Sequence, residues 1–139
     1  MARIKIDLPE KYIYKTEIKV RISDINYGGH LGNDAVLSLA HESRIRFLES
    51  MGYTELNIEG AAIIMTDAAI VYHNESFYGD ILNINLNIQD VSNTGFDMLY
   101  KLVRTSDNKE IARVKTGIVF FNYETKKIIP IPENFKIRI

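Results

Sequence analysis

The stretch Arg21-Ile22-Ser23-Asp24-Ile25-Asn26-Tyr27-Gly28-Gly29-His30-Leu31-Gly32-Asn33-Asp34 joins two different periodicities. Before it, Ile18, Val20 and Ile22 alternate with Glu17, Lys19 and Arg21. A period of two gives one buried and one wet face, which is a strand. After it, Ala35, Val36, Leu37, Leu39, Ala40, Ile45, Phe47, Leu48 and Met51 recur at three- and four-residue spacings. That pattern predicts a helix from about Asp34 to Met51, about 27 Å long. Asn33 suits its N-cap, Asp34 adds favourable charge to the first turn, and Gly52 suits the C′ position. The charges Glu42, Arg44, Arg46 and Glu49 fall late, so the first half is expected to be the more deeply buried. A helix start exposes backbone N–H groups that can hold negative charge. Here an acid, paired glycines, a histidine and two asparagines surround those groups, and this joint is the candidate reaction centre.

Everything beyond about Gly60 reads as β. Ala61 to Tyr72 is a long apolar-rich run that ends in the loop His73-Asn74-Glu75-Ser76-Phe77-Tyr78-Gly79-Asp80. Leu82, Ile84, Leu86 and Ile88 alternate with Asn83, Asn85, Asn87 and Gln89, a pattern regular enough to override the poor strand propensity of asparagine. After the Ser92–Gly95 turn, Phe96, Met98, Tyr100 and Leu102 alternate. After Thr105–Lys109, so do Ala112, Val114, Thr116, Ile118 and Phe120. The continuous apolar run Ile118–Phe121 fits burial on both faces, and Pro130 and Pro132 mark an irregular tail. One strand, one long helix and four strands on short turns make an antiparallel α+β architecture. A single helix cannot cover both faces of such a sheet. The expected solution is a curved sheet wrapped around the helix, with an edge or outer face paired to a second copy.

Composition narrows the function classes. At 139 residues the chain has room for one domain, spanning 1–139, with a proper core. A net charge of -1 offers no basic field for nucleic acid. The absence of cysteine excludes disulfides, thiolate nucleophiles and cysteine metal ligands, and suits a reducing cytoplasm. Charges interleave the aliphatics of the N-terminus, and no segment reaches the roughly 18–20 apolar residues of a membrane span. A cytoplasmic protein without nucleic-acid or membrane partners is therefore expected. No histidine–acid spacing matches a metal site and no phosphate-binding glycine motif occurs, so no metal is expected.

At these residues the chain resembles hot-dog-fold thioesterases, the broad acyl-CoA and 4-hydroxybenzoyl-CoA thioesterase type. Arg21–Asp24 resembles the family's strand end, and Gly29-His30-Leu31-Gly32-Asn33 resembles its G-H-V-N-N. His41–Leu48 resembles its E-x-R-x-x-F-L helix, and Tyr72 with Gly79-Asp80 its Y…G-D. Phe121–Thr125 and the proline-bearing tail resemble its closing D-x-x-T…P-x-P. The likeness runs from about Lys19 to Phe135. It implies an α+β hot-dog fold, an acyl-CoA substrate hydrolysed to free CoA and a carboxylic acid, and a homo-oligomer, dimer or tetramer, with pockets between subunits. No cofactor is implied, because coenzyme A arrives as part of the substrate.

The family pattern D-x-D-x-x-G-H is broken at its second acid, commonly the nucleophile or base, where this chain has Asn26. An amide orients a water or a thioester oxygen but accepts no proton at neutral pH. The resemblance makes Gly32 and Asn33 the backbone oxyanion donors, and Asn26 and His30 the groups that position or activate reactants. Asp34 and Glu42 are substitutes for the missing acid. Asp24, Tyr27 and Gly29 are candidates for positioning substrate. Each has a structural alternative: Asp24 accepting backbone or arginine hydrogen bonds, His30 fixing the loop, Asn33 and Asp34 capping the helix, Glu42 pairing with Arg46 at i, i+4. Two functions stay open, a thioester hydrolase and a non-catalytic module that binds acyl-CoA or acyl carrier protein. A dehydratase of the same fold lacks its histidine plus helix-acid motif here.

Overall fold

The computed structural model describes residues 3–139. β1 spans Tyr14–Lys19, and after the joint α1 spans Asn33–Ser50. β2 (Ala62–Tyr72), β3 (Ile81–Gln89), β4 (Gly95–Arg104), β5 (Glu110–Asn122) and the two-residue β6 (Lys127–Ile128) follow, and α2 (Glu133–Lys136) closes the chain. All strands join one antiparallel sheet in the order β1-β3-β4-β5-β2, with β6 on β5. The short turns produce the β3-β4-β5 meander as expected. β2 instead crosses to pair with β5, leaving β3 to β1 and β4.

The concave face carries the alternating residues read from the sequence. Ile18, Leu82, Ile84, Leu86, Met98, Tyr100, Leu102, Ala112, Val114, Thr116, Ile118 and Phe120 are all buried. Against them α1 lays Val36, Leu39, Ala40, Phe47 and Leu48. Each such aliphatic contributes roughly 1.5–3 kcal/mol when fully withdrawn from water. Burial runs the length of α1 rather than favouring its first half, because Ser43, Arg44, Phe47 and Leu48 are as enclosed as Val36 and Leu39. On the outer face, Arg113 donates from Nη1 to the Ile6 carbonyl at 2.9 Å and holds the N-terminal segment there.

Three boundaries depart from the sequence reading. The strand ends at Lys19, and Ile22 lies exposed in a 3-10 turn over Ile22–Asp24. Asp24 causes this: its carboxylate accepts the Arg21 backbone N–H at 2.8 Å and bends the chain. Gly32, not Asn33, is the N-cap of α1, and no side chain caps it. The tail, expected to be irregular, forms α2, which drives Phe135 into an aromatic cluster with Tyr53, Phe96 and Phe120 at centroid distances of 5.7–5.9 Å. The far end of α1 behaves as read. Gly52 at φ +87° occupies C′, its N–H reaches the Glu49 carbonyl and that of Tyr53 the Leu48 carbonyl, a Schellman close.

Candidate active site at the start of the central helix

Backbone bonds lace the joint together before any side chain acts. The Gly32 N–H donates to the Asp24 carbonyl at 2.9 Å, and Leu31 N–H donates to the Ser76 carbonyl at 2.7 Å. Asp24 is buried and engaged by Arg21 through backbone and guanidinium, so it braces the turn. Asn26 is exposed, but its Oδ1 accepts the N–H groups of Gly28 (3.0 Å) and His30 (3.3 Å), closing the loop on itself. Gly29 takes φ +83° inside that loop, a left-handed conformation natural to glycine. Tyr27 stands fully exposed at the loop's tip.

The result is a bare helix start. The N–H groups of Asn33 and Asp34 have no partner among the described residues, while that of Ala35 is taken by the Asp34 carboxylate at 3.0 Å. Both residues are exposed. Two free donors at the positive end of an 18-residue helix form a ready hole for a developing oxyanion.

Three cavities meet at this point. One, of about 370 Å³, is lined by Asn26, His30, Asn33, Tyr72 and Glu75 among others. A second, of about 510 Å³, runs along Asp24, Asn26, Tyr27, Asp34 and Ser38. The third and largest, about 720 Å³, opens at Asp34 and runs between α1 and β2. Six of the residues expected to act, Asp24, Asn26, Tyr27, His30, Asn33 and Asp34, therefore line cavities at the joint, with Gly32 directly behind. Glu42 is not brought there. Its Oε2 accepts from Arg46 Nε at 2.7 Å, and Arg46 also reaches Thr16 Oγ1 and the Glu17 carbonyl, fastening α1 to β1.

Sequence reasoning gave no role at the joint to Glu75 or Tyr72. Glu75 places Oε1 3.3 Å from His30 Nδ1, while Phe77 stacks on the His30 ring at 5.7 Å and orients it. Nε2 has no partner among the described residues, and in the neutral imidazole with the proton on Nδ1 it is the nitrogen that could accept one. Tyr72 donates its hydroxyl to the Asn33 carbonyl at 3.0 Å. Burial first, then the nearby Asp34 charge, raise its phenol above the ordinary 10.0, so it remains a donor at neutral pH. Both residues lie some forty positions from the joint, and only the return of β2 to the helix start reveals them.

The cavity between α1 and β2 ends on a buried polar chain. Arg44 donates from Nε to Glu55 Oε2 and from Nη1 to Tyr100 Oη, both at 2.8 Å, and Tyr100 Oη meets Thr116 Oγ1 at 2.8 Å. His41 Nε2 lies 2.7 Å from Glu55 Oε1. Burial pushes the Glu55 carboxyl up, but the hydrogen bonds from Arg44 and His41 together outweigh it and hold the group below its ordinary 4.5.

With that geometry in view, similarity to known proteins is informative. The sequence model of the thioesterase-like superfamily matches residues 20–139. A protein of Aquifex aeolicus (strain VF5) that carries a provisional esterase name is 24% identical over 124 residues, 88% of this chain and 92% of that one. A 1,4-dihydroxy-2-naphthoyl-CoA thioesterase from Synechocystis superposes with a TM-score of 0.81 at 24% identity, covering 88% of this chain and 92% of that one. A thioesterase-superfamily structure from Jannaschia gives a TM-score of 0.79 at 21% identity, over 90% and 79% respectively. These likenesses are likenesses of fold: a curved antiparallel sheet around one long helix, the hot-dog arrangement. Among the described residues no helix is long and apolar enough to cross a membrane.

Proposed function

The chain belongs to the thioesterase-like superfamily, and from that premise we propose that it hydrolyses an acyl-CoA thioester to free CoA and a carboxylic acid. The observation that carries this reading is the pair of unbonded N–H groups at Asn33 and Asp34 beside His30, which stacks on Phe77. The thioester oxygen enters that hole. His30 Nε2 takes a proton from a water as its oxygen attacks the carbonyl carbon. The tetrahedral oxyanion rests on the two N–H groups until the carbon–sulfur bond breaks, and the proton passes to the departing thiolate. Such a donor pair contributes about 10²–10³ in rate per donor. Asp34 and Tyr72 line the entrance and orient the substrate, and no cofactor enters the step.

In this reading the protein acts in the cytoplasm and assembles at least as a homodimer. Among the described residues β2 has only β5 beside it, and Met65–Ala68 along it are exposed, which supports pairing with a second copy across that edge. One observation favours a second reading, an acyl-CoA or acyl-carrier-protein binding module. The Asn26 amide, standing at the second acid of the D-x-D-x-x-G-H pattern that the chain resembles, has its oxygen committed to the loop.

The decisive experiment incubates the purified protein with short, medium, long and aromatic acyl-CoAs and titrates free thiol, to which the cysteine-free chain adds no background. Turnover is expected, with kcat for His30→Ala lower by about 10²-fold or more. Calorimetric binding without turnover establishes the module instead, and an unchanged kcat removes His30 from the chemistry.

A further inference from the structure

The cavity between α1 and β2 starts at the proposed oxyanion hole and stops at charge. Asp34 stands at its mouth, Leu37, Leu56, Ile63 and Met65 line its walls, and Arg44, His41 and Glu55 stand at its far end. Arg44 is the unusual member, with a side chain only 5% exposed. Its Nε and Nη1 are occupied by Glu55 and Tyr100, but Nη2 has no partner among the described residues. Nη2 is also not among the polar atoms sealed away without a partner. It therefore meets open space, and the cavity is the space Arg44 borders. His41 is complementary. Its Nε2 lies 2.7 Å from Glu55 Oε1, and its Nδ1 has no partner among the described residues; in the neutral ring with Nε2 carrying the proton, Nδ1 accepts.

Nothing in the hydrolytic reading uses these groups. Seven residues of helix separate Asp34 from His41, about 10 Å, which places the pair too far from the oxyanion hole to touch a carbonyl held there. Helical side chains lean toward the N-terminus, so the ends of His41 and Arg44 reach back into the cavity. A short chain with its carbonyl at the hole would end beside them. The charge balance then limits what that end can be. Arg44 is neutralised by Glu55 and Asp67 by Lys115 at 2.8 Å, so Asp34 is the charge left on the lining, and it disfavours a carboxylate but not a neutral oxygen.

Resting on the thioester reading, we propose that this cavity selects a short acyl group bearing an uncharged oxygen, keto or hydroxyl, at its far end. Arg44 Nη2 donates to that oxygen, and a hydroxyl in addition donates to His41 Nδ1. An aliphatic tail would leave the enclosed Arg44 Nη2 unpaired against an apolar wall, the situation that selects most strongly against an analogue lacking the polar atom.

The test compares non-hydrolysable thioether analogues of hexanoyl-CoA whose tails end in methyl, methyl ketone, hydroxyl or carboxylate, by calorimetry on the full chain. The ketone and hydroxyl tails are expected to bind about tenfold or more tighter than methyl, as a hydrogen bond to a charged donor would give. Methyl or carboxylate binding as tightly as these overturns the proposal. His41→Ala should reduce the hydroxyl preference to that of the ketone, and Arg44→Lys should remove both. If Arg44→Lys does not fold, the four tails on the unaltered protein decide alone. Thiol release from the matching thioesters is scored separately. Hydrolysis without tail preference overturns this selection and leaves the hydrolase standing. Tail preference without hydrolysis supports the selection and turns the protein into a binder.

Discussion

Asn26 shows how a single atom pair separates two functions. Its Oδ1 accepts two backbone N–H groups, a task that a carboxylate oxygen performs equally well. Asn26→Asp should therefore keep the loop and add a proton acceptor beside His30. Turnover is expected to rise, by about 10²-fold at most, in the thiol-release assay. The two N–H bonds limit the gain by depressing the new carboxyl's pKa. A collapse of turnover would show that the amide's own N–H groups are needed. At this scale the joint was legible because the glycines, asparagines and histidine are contiguous. Glu75 and Tyr72 were not, since each acts on the joint from a distant segment whose approach depends on sheet order. Arg44 misled for a related reason. Amid Glu42, Arg46 and Glu49 it reads as one more solvated charge, and its partner Tyr100 lies 56 residues away.

At the scale of elements, α1 and the long strands announced themselves by period, and even the asparagine-rich β3 obeyed its alternation. Its neighbours Leu82, Ile84 and Leu86 are fully buried while the intervening asparagines stay partly wet. Short elements carry no period. The four-residue α2 was hidden behind two prolines, yet it delivers Phe135 into the cluster that closes one end of the core. Phe135→Ala removes a ring packed against Tyr53, Phe96 and Phe120 and should destabilise the fold by about 3–5 kcal/mol. Urea denaturation followed by tyrosine fluorescence measures this; a loss under about 1 kcal/mol would show that the tail packs without contributing.

For the molecule as a whole, acid is the informative variable. Burial pushes the Asp80 carboxyl up, but the Phe77 N–H, the Ser76 hydroxyl and Arg104 together hold it below its ordinary 3.8. Glu55 lies below its ordinary 4.5 by the same balance, and Arg104 holds Asp107 down to about 2. A carboxyl with a depressed folded pKa adds stability above its unfolded value, and that stability is lost as pH falls through the folded value. Asp97 runs the other way, raised first by burial and then by Asp90 and Asp67. Asp67, held down by its hydrogen bond from Lys115, makes it four against one, and the melting temperature should hold down to about pH 4.5 and fall between there and about pH 2. Thermal melts across that range test it, and a flat profile would mean the pairs are equally satisfied in the unfolded chain. The overall architecture was legible except for the placement of β2, because short turns dictate the meander but say nothing about which free edge an earlier strand will join.

That placement also bears on how the chain comes to be folded. Ala62 pairs with Phe121, so among the described residues β2 gains its sheet neighbour only when β5 has been made, after β3 and β4. Until then the nascent chain holds an amphipathic rod and an apolar ribbon with nowhere to dock. Contacts so distant in sequence slow collapse to the native state, and such waiting segments are where association with other molecules begins. Synthesis of this protein should therefore place its heaviest demand on chaperones in the interval between β2 and β5.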